Sequence, residues 1–203
     1  MVESTGGKKR GNNVTELTAI APLRPGGADQ LRAVFAQRER EEKQGGKSPI
    51  ELIQTIHYAR WVIIDGGERL LFTSNFDGDL EDYLEDFADR DEAPLNAIFG
   101  ACIGWPGARP VAGFIKYVRD HQVPATYYYA AYPRYTVKEV KRGLYWKQET
   151  ETFLKDLAAL REAQASGSAE ILDLNTFLKK MDGAINSFLQ ALAKPTSWPL
   201  NGR

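Results

Sequence analysis

Cysteine, histidine and long apolar runs are all scarce in this chain of 203 residues. Cys102 is the only cysteine, which excludes an intrachain disulfide and a cysteine-rich metal site. The apolar residues occur in short runs such as 61–64 and 70–72, far below the roughly 18 consecutive residues that a membrane-spanning helix requires. The basic residues near the N-terminus are followed by glycine and asparagine instead of an apolar segment, so we expect no signal peptide. These features predict a cytoplasmic protein that does not enter the membrane.

An excess of positive charge is also missing. The formal net charge is −1, which supplies no overall attraction to the phosphates that dominate nucleic-acid binding. The tyrosine-rich stretch 127–132 has only Arg134 as a nearby basic residue, whereas base-stacking surfaces combine aromatic side chains with several cations. The sequence therefore predicts no nucleic-acid partner.

Apolar periodicity and chain breakers divide the sequence into three regions: a flexible N-terminal tail at 1–13, one α+β domain at 14–164, and a C-terminal amphipathic helix with its tail at 165–203, packed on the domain. Asp65-Gly66-Gly67 between two β-favouring runs predicts a hairpin, and the acidic helix that follows it is capped by Asp77 or Asp79. The predicted strands are 14–23, 56–64, 69–76 and 125–132, and the predicted helices begin near 28, 80, 111, 136 and 174, with an inserted helical segment around 95–102.

This order of elements indicates a split βαβ arrangement: a four-stranded antiparallel sheet with helices on one face, an inserted helical segment and an extra C-terminal helix. Over about 14–160, and in the strand His57–Arg60 and the junction Asn75–Gly78, the chain resembles the ferredoxin-like fold and, within it, the dimeric α/β-barrel superfamily. In that superfamily two such sheets close against one another. Its members include cofactor-free monooxygenases, dye-decolourising peroxidases and chlorite-dismutase-like haem proteins. The resemblance implies a homodimer that binds a small organic ligand or haem, with oxygenase- or peroxidase-related chemistry as a candidate activity.

Five residues are candidates for such a site. His57 is one of two histidines and is a candidate proton acceptor or axial haem ligand, with Arg60 as a second catalytic candidate. In a regular strand these two would point to opposite faces. Tyr127, Tyr129 and Trp61 are candidate ligand-binding residues, because aromatic rings with one polar group can line an apolar pocket and orient a substrate. For the histidine and the tyrosines, packing within the sheet or a dimer is the competing explanation.

Two further patterns favour structural roles. Asp77 to Glu92 contains nine carboxylates, but a calcium loop around Gly78 would need acidic residues where Thr73 and Leu84 stand. Cys102 lies in an apolar patch without an activating neighbour and is expected to be inert.

The C-terminal helix carries a full apolar stripe, which indicates an alternative function. This alternative is a non-catalytic interaction or assembly module, whose sheet and C-terminal helix bind a protein partner such as a larger redox enzyme.

Overall fold

The computed structural model describes residues 13–90, 92–166 and 174–193, and this part of the chain forms an α+β structure of three strands and six α-helices. The predicted tail at 1–13, apart from Asn13, and the ends of the predicted C-terminal region fall outside the described residues. The chain divides into two compact units, Met1–Val137 and Lys138–Arg203. The strands are β1 (Val14–Pro22), β2 (Ile56–Ile64) and β3 (Arg69–Asp77), and the helices are α1 (Gly27–Lys43), α2 (Leu80–Arg90), α3 (Glu92–Phe99), α4 (Val111–His121), α5 (Val137–Ala165) and α6 (Leu174–Ala193).

The sheet has the order β1-β3-β2, and both outer strands run antiparallel to β3. The predicted hairpin is confirmed, with the turn at Asp65–Gly67 and Ile64 paired with Arg69. Because β3 lies between them, β1 and β2 are parallel to each other, and α1 belongs to the crossover that connects them. This is the split βαβ connection that the order of elements predicted.

Alternation along the strands gives the sheet two different faces. The inner face carries buried residues such as Leu17, Phe72 and Phe76, which share one core with α1 to α4. The outer face carries the intervening residues, among them Ile20, Leu71 and Val62, which the strand register places side by side in one row. Ile20 and Leu71 are half-buried and Val62 is 36% exposed, so within the described chain the outer face is only partly covered.

The prediction of a fourth strand at 125–132 is wrong. These residues form no strand, and the sheet of the described chain has three strands. The segment does follow the outer edge of β1. The Val123 N–H donates to the Thr18 carbonyl at 2.8 Å, and the Asn13 N–H donates to the Pro133 carbonyl at 2.7 Å. From the first bond to the second the segment advances ten positions, whereas its partners move back five, from Thr18 in β1 to Asn13 just before it. A regular ladder needs equal numbers on both strands, so the surplus residues between these two bonds cannot all pair with β1.

The same edge of β1 is also occupied at its far end. Leu23 and Cys102 form an isolated antiparallel bridge, and the Ile103 N–H donates to the Pro22 carbonyl at 2.8 Å. A residue larger than glycine would clash at position 27, because a Cβ there would lie 2.7 Å from the Ala101 carbonyl oxygen. In contrast, β2 pairs only with β3 among the described residues, so its other edge is open.

The second unit contains α5 and α6. Phe153 stacks on Phe188 with ring centroids 4.7 Å apart, and the Tyr145 hydroxyl donates to the Ala191 carbonyl at 3.2 Å. Of the side chains described in this unit only Ala191 is buried, so most of the apolar residues of the two helices remain in contact with solvent. No helix within the described residues is long and apolar enough to span a bilayer.

Candidate functional site

A β-bulge in β2 places His57 beside Asp77 at the end of β3. The register shifts between Ile56 and Tyr58, so His57 leaves the regular alternation. Its Nε2 lies 2.8 Å from Asp77 Oδ1, and the two side chains are only 15% and 13% exposed. Asp77 is the last residue of β3, on the outer face. The bulge therefore brings a partly buried imidazole against a partly buried carboxylate.

The other oxygen of Asp77 reaches the start of α5. Asp77 Oδ2 accepts a hydrogen bond from the Val137 backbone N–H at 2.8 Å, across 60 positions of sequence. A carboxylate is favoured there because the first N–H groups of a helix lack partners within the helix. Asp77 was one of two predicted caps for α2, but Asp79 has that role, since its Oδ1 accepts the Asp82 N–H at 3.1 Å.

A second polar contact lies one row along the outer face. Asn75 Nδ2 donates to the Tyr128 hydroxyl at 3.3 Å, and Asn75 is aligned with Glu16 and Tyr58 in the strand register. Burial raises the pKa of Tyr128, an effect that the Asn75 bond partly offsets and the Glu16 charge reinforces. Tyr128 is therefore a neutral hydrogen-bonding group that anchors its segment to the sheet.

The five predicted site residues are not brought together. Tyr127 and Tyr129 flank the anchored Tyr128 and are 81% and 72% exposed. Arg60 is exposed, and its register partner Thr73 belongs to the outer face.

Trp61 points to the inner face, where its ring lies 5.9 Å from Phe35 and 5.1 Å from Phe72. Within the described chain, His57 is the one of the five residues with a charged partner, Asp77, whose other carboxylate oxygen accepts the Val137 N–H.

A polar pair that sequence patterns did not indicate lies inside the core. The hydroxyls of Ser74 and Tyr83 are 2.5 Å apart, and Ser74 also donates to the Tyr58 carbonyl at 3.2 Å. The Tyr83 ring stacks on Phe76 with centroids 3.7 Å apart. Burial raises the pKa of Tyr83, so this hydroxyl stays protonated. The only signal in the sequence was a serine at an inward-facing strand position.

The inner face also borders a small cavity of about 20 Å³ between the sheet and the helices. That volume holds about one water molecule, far less than haem or an organic substrate needs. Its walls are apolar apart from Tyr117 and His121, and His121 Nδ1 lies 2.8 Å from the Tyr117 carbonyl oxygen. His121 thus bonds to the last turn of its own helix, as expected from its position there.

Cys102 is fully buried, and burial raises the pKa of its thiol to about 11. A thiol that stays protonated is a poor nucleophile and a poor metal ligand. Among the described residues no three His, Cys, Asp or Glu side chains are grouped so that they could hold a metal ion. The chemistry that the groups of the outer face show is hydrogen bonding, through His57, Asp77, Asn75 and Tyr128.

Comparison with known proteins gives no relative: no protein-family model matches the chain, and neither the curated proteins nor the solved structures contain a match.

Proposed function

We propose that this chain is an assembly protein that associates with a second copy of itself through the outer face of its sheet. The observation that carries the proposal is the row of Ile20, Leu71 and Val62, which the register aligns across all three strands on the face opposite α1 to α4. Pro22 and Ile64 continue this apolar surface at the next positions, on either side of Arg69. Burying a sheet face of this composition against a second apolar surface lowers the free energy, because it removes apolar side chains from water.

The strand order supports the same proposal. The sheet has the order β1-β3-β2, and α1 lies in the connection between the parallel strands β1 and β2. The first three strands of a ferredoxin-like sheet have the same order and connection. In the dimeric α/β-barrel proteins that the sequence resembles, two sheets pack face to face. Two copies of the present sheet would pack in the same manner, at the roughly 10 Å spacing of stacked sheets.

The proposal is tested by placing one charge in the row. Leu71→Glu would put a carboxylate into an apolar interface, so we expect the mass in solution to fall from that of a dimer to that of a monomer. The matched control is Ile103→Glu, because Ile103 is a 53% exposed apolar residue outside the sheet. Light scattering after size exclusion measures both. A wild-type monomer at micromolar concentration, or a Leu71→Glu variant that keeps the wild-type mass, would contradict the proposal.

Ligand or haem binding is a second candidate, and Trp61 is the observation that favours it. Within the described chain its indole Nε1 is buried without a hydrogen-bond partner, between the rings of Phe35 and Phe72. Buried donors are rarely left unpaired. A ligand acceptor atom would satisfy the N–H once the rings around it move apart, because the cavity of about 20 Å³ on the inner face holds about one water molecule. Trp61 was also one of the residues that the sequence predicted to contact a ligand.

Titration with haem tests this candidate by a shift of the Soret band from that of free haem and by quenching of tryptophan fluorescence. Trp61→Phe removes the N–H and keeps an aromatic ring, so we expect binding to weaken at least about tenfold if that donor holds the ligand. Trp105→Phe is the control, because the Trp105 N–H already donates to Asn96 at 3.0 Å. Equal titrations for wild type and Trp61→Phe would remove the indole from the proposed site.

A further inference from the structure

A second self-complementary surface lies on α5. Six positions of this helix form a stripe with alternating spacings of four and three, the pattern that keeps residues on one face of a helix. The α5 stripe consists of Val140, Leu144, Lys147, Glu151, Leu154 and Ala158. Leu144 and Leu154 are 55% and 57% exposed, which is unusual for leucines in register on a long helix.

The α5 stripe is not the side of α5 that contacts α6. At 100° per residue, Phe153 and Tyr145, which contact α6, lie on the side of the helix opposite the stripe. The pairing of the two helices therefore leaves the stripe in solvent. In the middle of the stripe, Lys147 Nζ lies 3.1 Å from Glu151 Oε1, and both side chains are more than half exposed.

The order of residues in the stripe is symmetric about position 149. If two copies of α5 are laid antiparallel with a two-fold axis at that position, Leu144 of one copy faces Leu154 of the other. Lys147 then faces Glu151, and Val140 faces Ala158. Every leucine meets a leucine and every charge meets its opposite, so a second copy satisfies the stripe completely.

We infer that α5 pairs antiparallel with α5 of a second copy along this stripe. The inference extends the proposed self-association and rests on it, because the stripe alone is small. From 140 to 158 it is about 27 Å long, and at a helix width of about 10 Å it covers roughly 270 Å². Stable interfaces bury about 800 Å² on each partner, so the stripe adds to the outer-face contact and does not replace it.

The experiment uses two charge reversals in the full chain. Lys147→Glu places two carboxylates on the stripe of each copy, and Glu151→Lys places two ammonium groups there. Each variant alone would bring four like charges together across the two-fold axis. We expect the dissociation constant of each to rise at least about tenfold.

Mixing the two variants separates contact between copies from effects within one helix. In a one-to-one mixture, each carboxylate of one copy faces an ammonium of the other, so the mixed assembly should recover most of the wild-type affinity. The pair within each helix remains broken in the mixture, because both variants carry like charges at 147 and 151. Recovery therefore reports the pairing of two chains.

Sedimentation velocity with one variant fluorescently labelled measures the mixed species, and circular dichroism confirms that α5 is retained. Asp156→Lys is the matched control: it reverses an exposed charge of α5 away from the stripe and should keep the wild-type mass. Single variants that associate like wild type, or a mixture that recovers nothing, would overturn the inference.

Leu71→Glu distinguishes the two proposals. If the charge reversals weaken association and Leu71→Glu does not, the α5 contact stands, and the rest of the interface lies on a surface other than the row of Ile20, Leu71 and Val62. The opposite pair of results leaves the outer face as the interface and removes the α5 stripe.

Discussion

The hydroxyl of Tyr83 lies 2.5 Å from that of Ser74, inside a core where both side chains are no more than 2% exposed. The bond joins α2 to the central strand β3, and the Phe76 stack holds the tyrosine ring in place. Because neither hydroxyl can reach water, the Tyr83 hydroxyl depends on Ser74, whereas Ser74 also bonds to the Tyr58 carbonyl.

Tyr83→Phe should lower the free energy of unfolding by about 1–2 kcal/mol, because it removes one partner of a buried hydrogen bond. Ser74→Ala should have a similar effect. The double variant should cost less than the sum of the two, since the first change already breaks the bond. Urea unfolding measures all three, and strictly additive losses would show that the hydroxyls do not interact.

Removing the carboxylate of Asp77 should destabilise the chain more than removing any exposed acid. Asp77→Ala loses both the His57 contact and the bond to the Val137 N–H, for a loss of about 2–3 kcal/mol. Asp77→Asn can still accept that N–H and should lose less. Asp120→Ala is the control, because its bond to Lys116 is exposed and should contribute under about 1 kcal/mol. Thermal unfolding that ranks Asp120→Ala with Asp77→Ala would contradict the bridging role.

Two glycines should respond in opposite ways to alanine. Gly78 directly follows β3 and has a φ of 92°. No atom lies within 4 Å of a Cβ built there, so Gly78→Ala should lower the free energy of unfolding by about 1–2 kcal/mol through backbone strain alone. Gly143 lies inside α5 with the same open space and no positive φ, so Gly143→Ala should stabilise the helix by about 0.5–1 kcal/mol. Denaturation midpoints that move in the same direction would refute this contrast.

Stability should fall in alkaline solution. The pKa of Cys102 is raised by burial from 9.0 to about 11, and burial also raises those of Tyr83 and Tyr117 from 10.0. In each case the unfolded chain loses its proton first, so the stabilisation is complete below about pH 9 and is lost as the pH rises toward 11 and above.

Cys102→Ala should flatten the first part of this decline, between about pH 9 and 11, although it also removes packing and lowers stability at neutral pH. The measurement is the free energy of unfolding in urea from pH 7 to 11. An unchanged slope in Cys102→Ala would show that the thiol does not contribute.

The sequence predicted the elements well where local chemistry decides them. Asp65-Gly66-Gly67 can form a tight turn almost regardless of its surroundings, so the β2–β3 hairpin followed from composition. The same holds for α1, which begins at Gly27 and ends at Lys43, just before Gly45 and Gly46.

Contacts between distant residues were not predictable in this way. Tyr127 to Tyr129 have the composition of a strand, but a ladder also requires matching lengths between fixed points, and the surplus residues beside β1 prevent one. The bulge at His57 and the choice of Asp77 as a cap for α5 arise from pairings across 20 and 60 positions. Periodicity carries no information at that range.

The two edges of the sheet differ, and this limits how strands from separate copies can join. β1 is occupied along its outer side by residues around Cys102, Val123 and Pro133, whereas β2 is bonded only to β3 in the described chain. A strand can therefore be added at one side only. If two copies meet through β2, both available edges are used up, so edge pairing ends at two molecules and does not continue into a fibril.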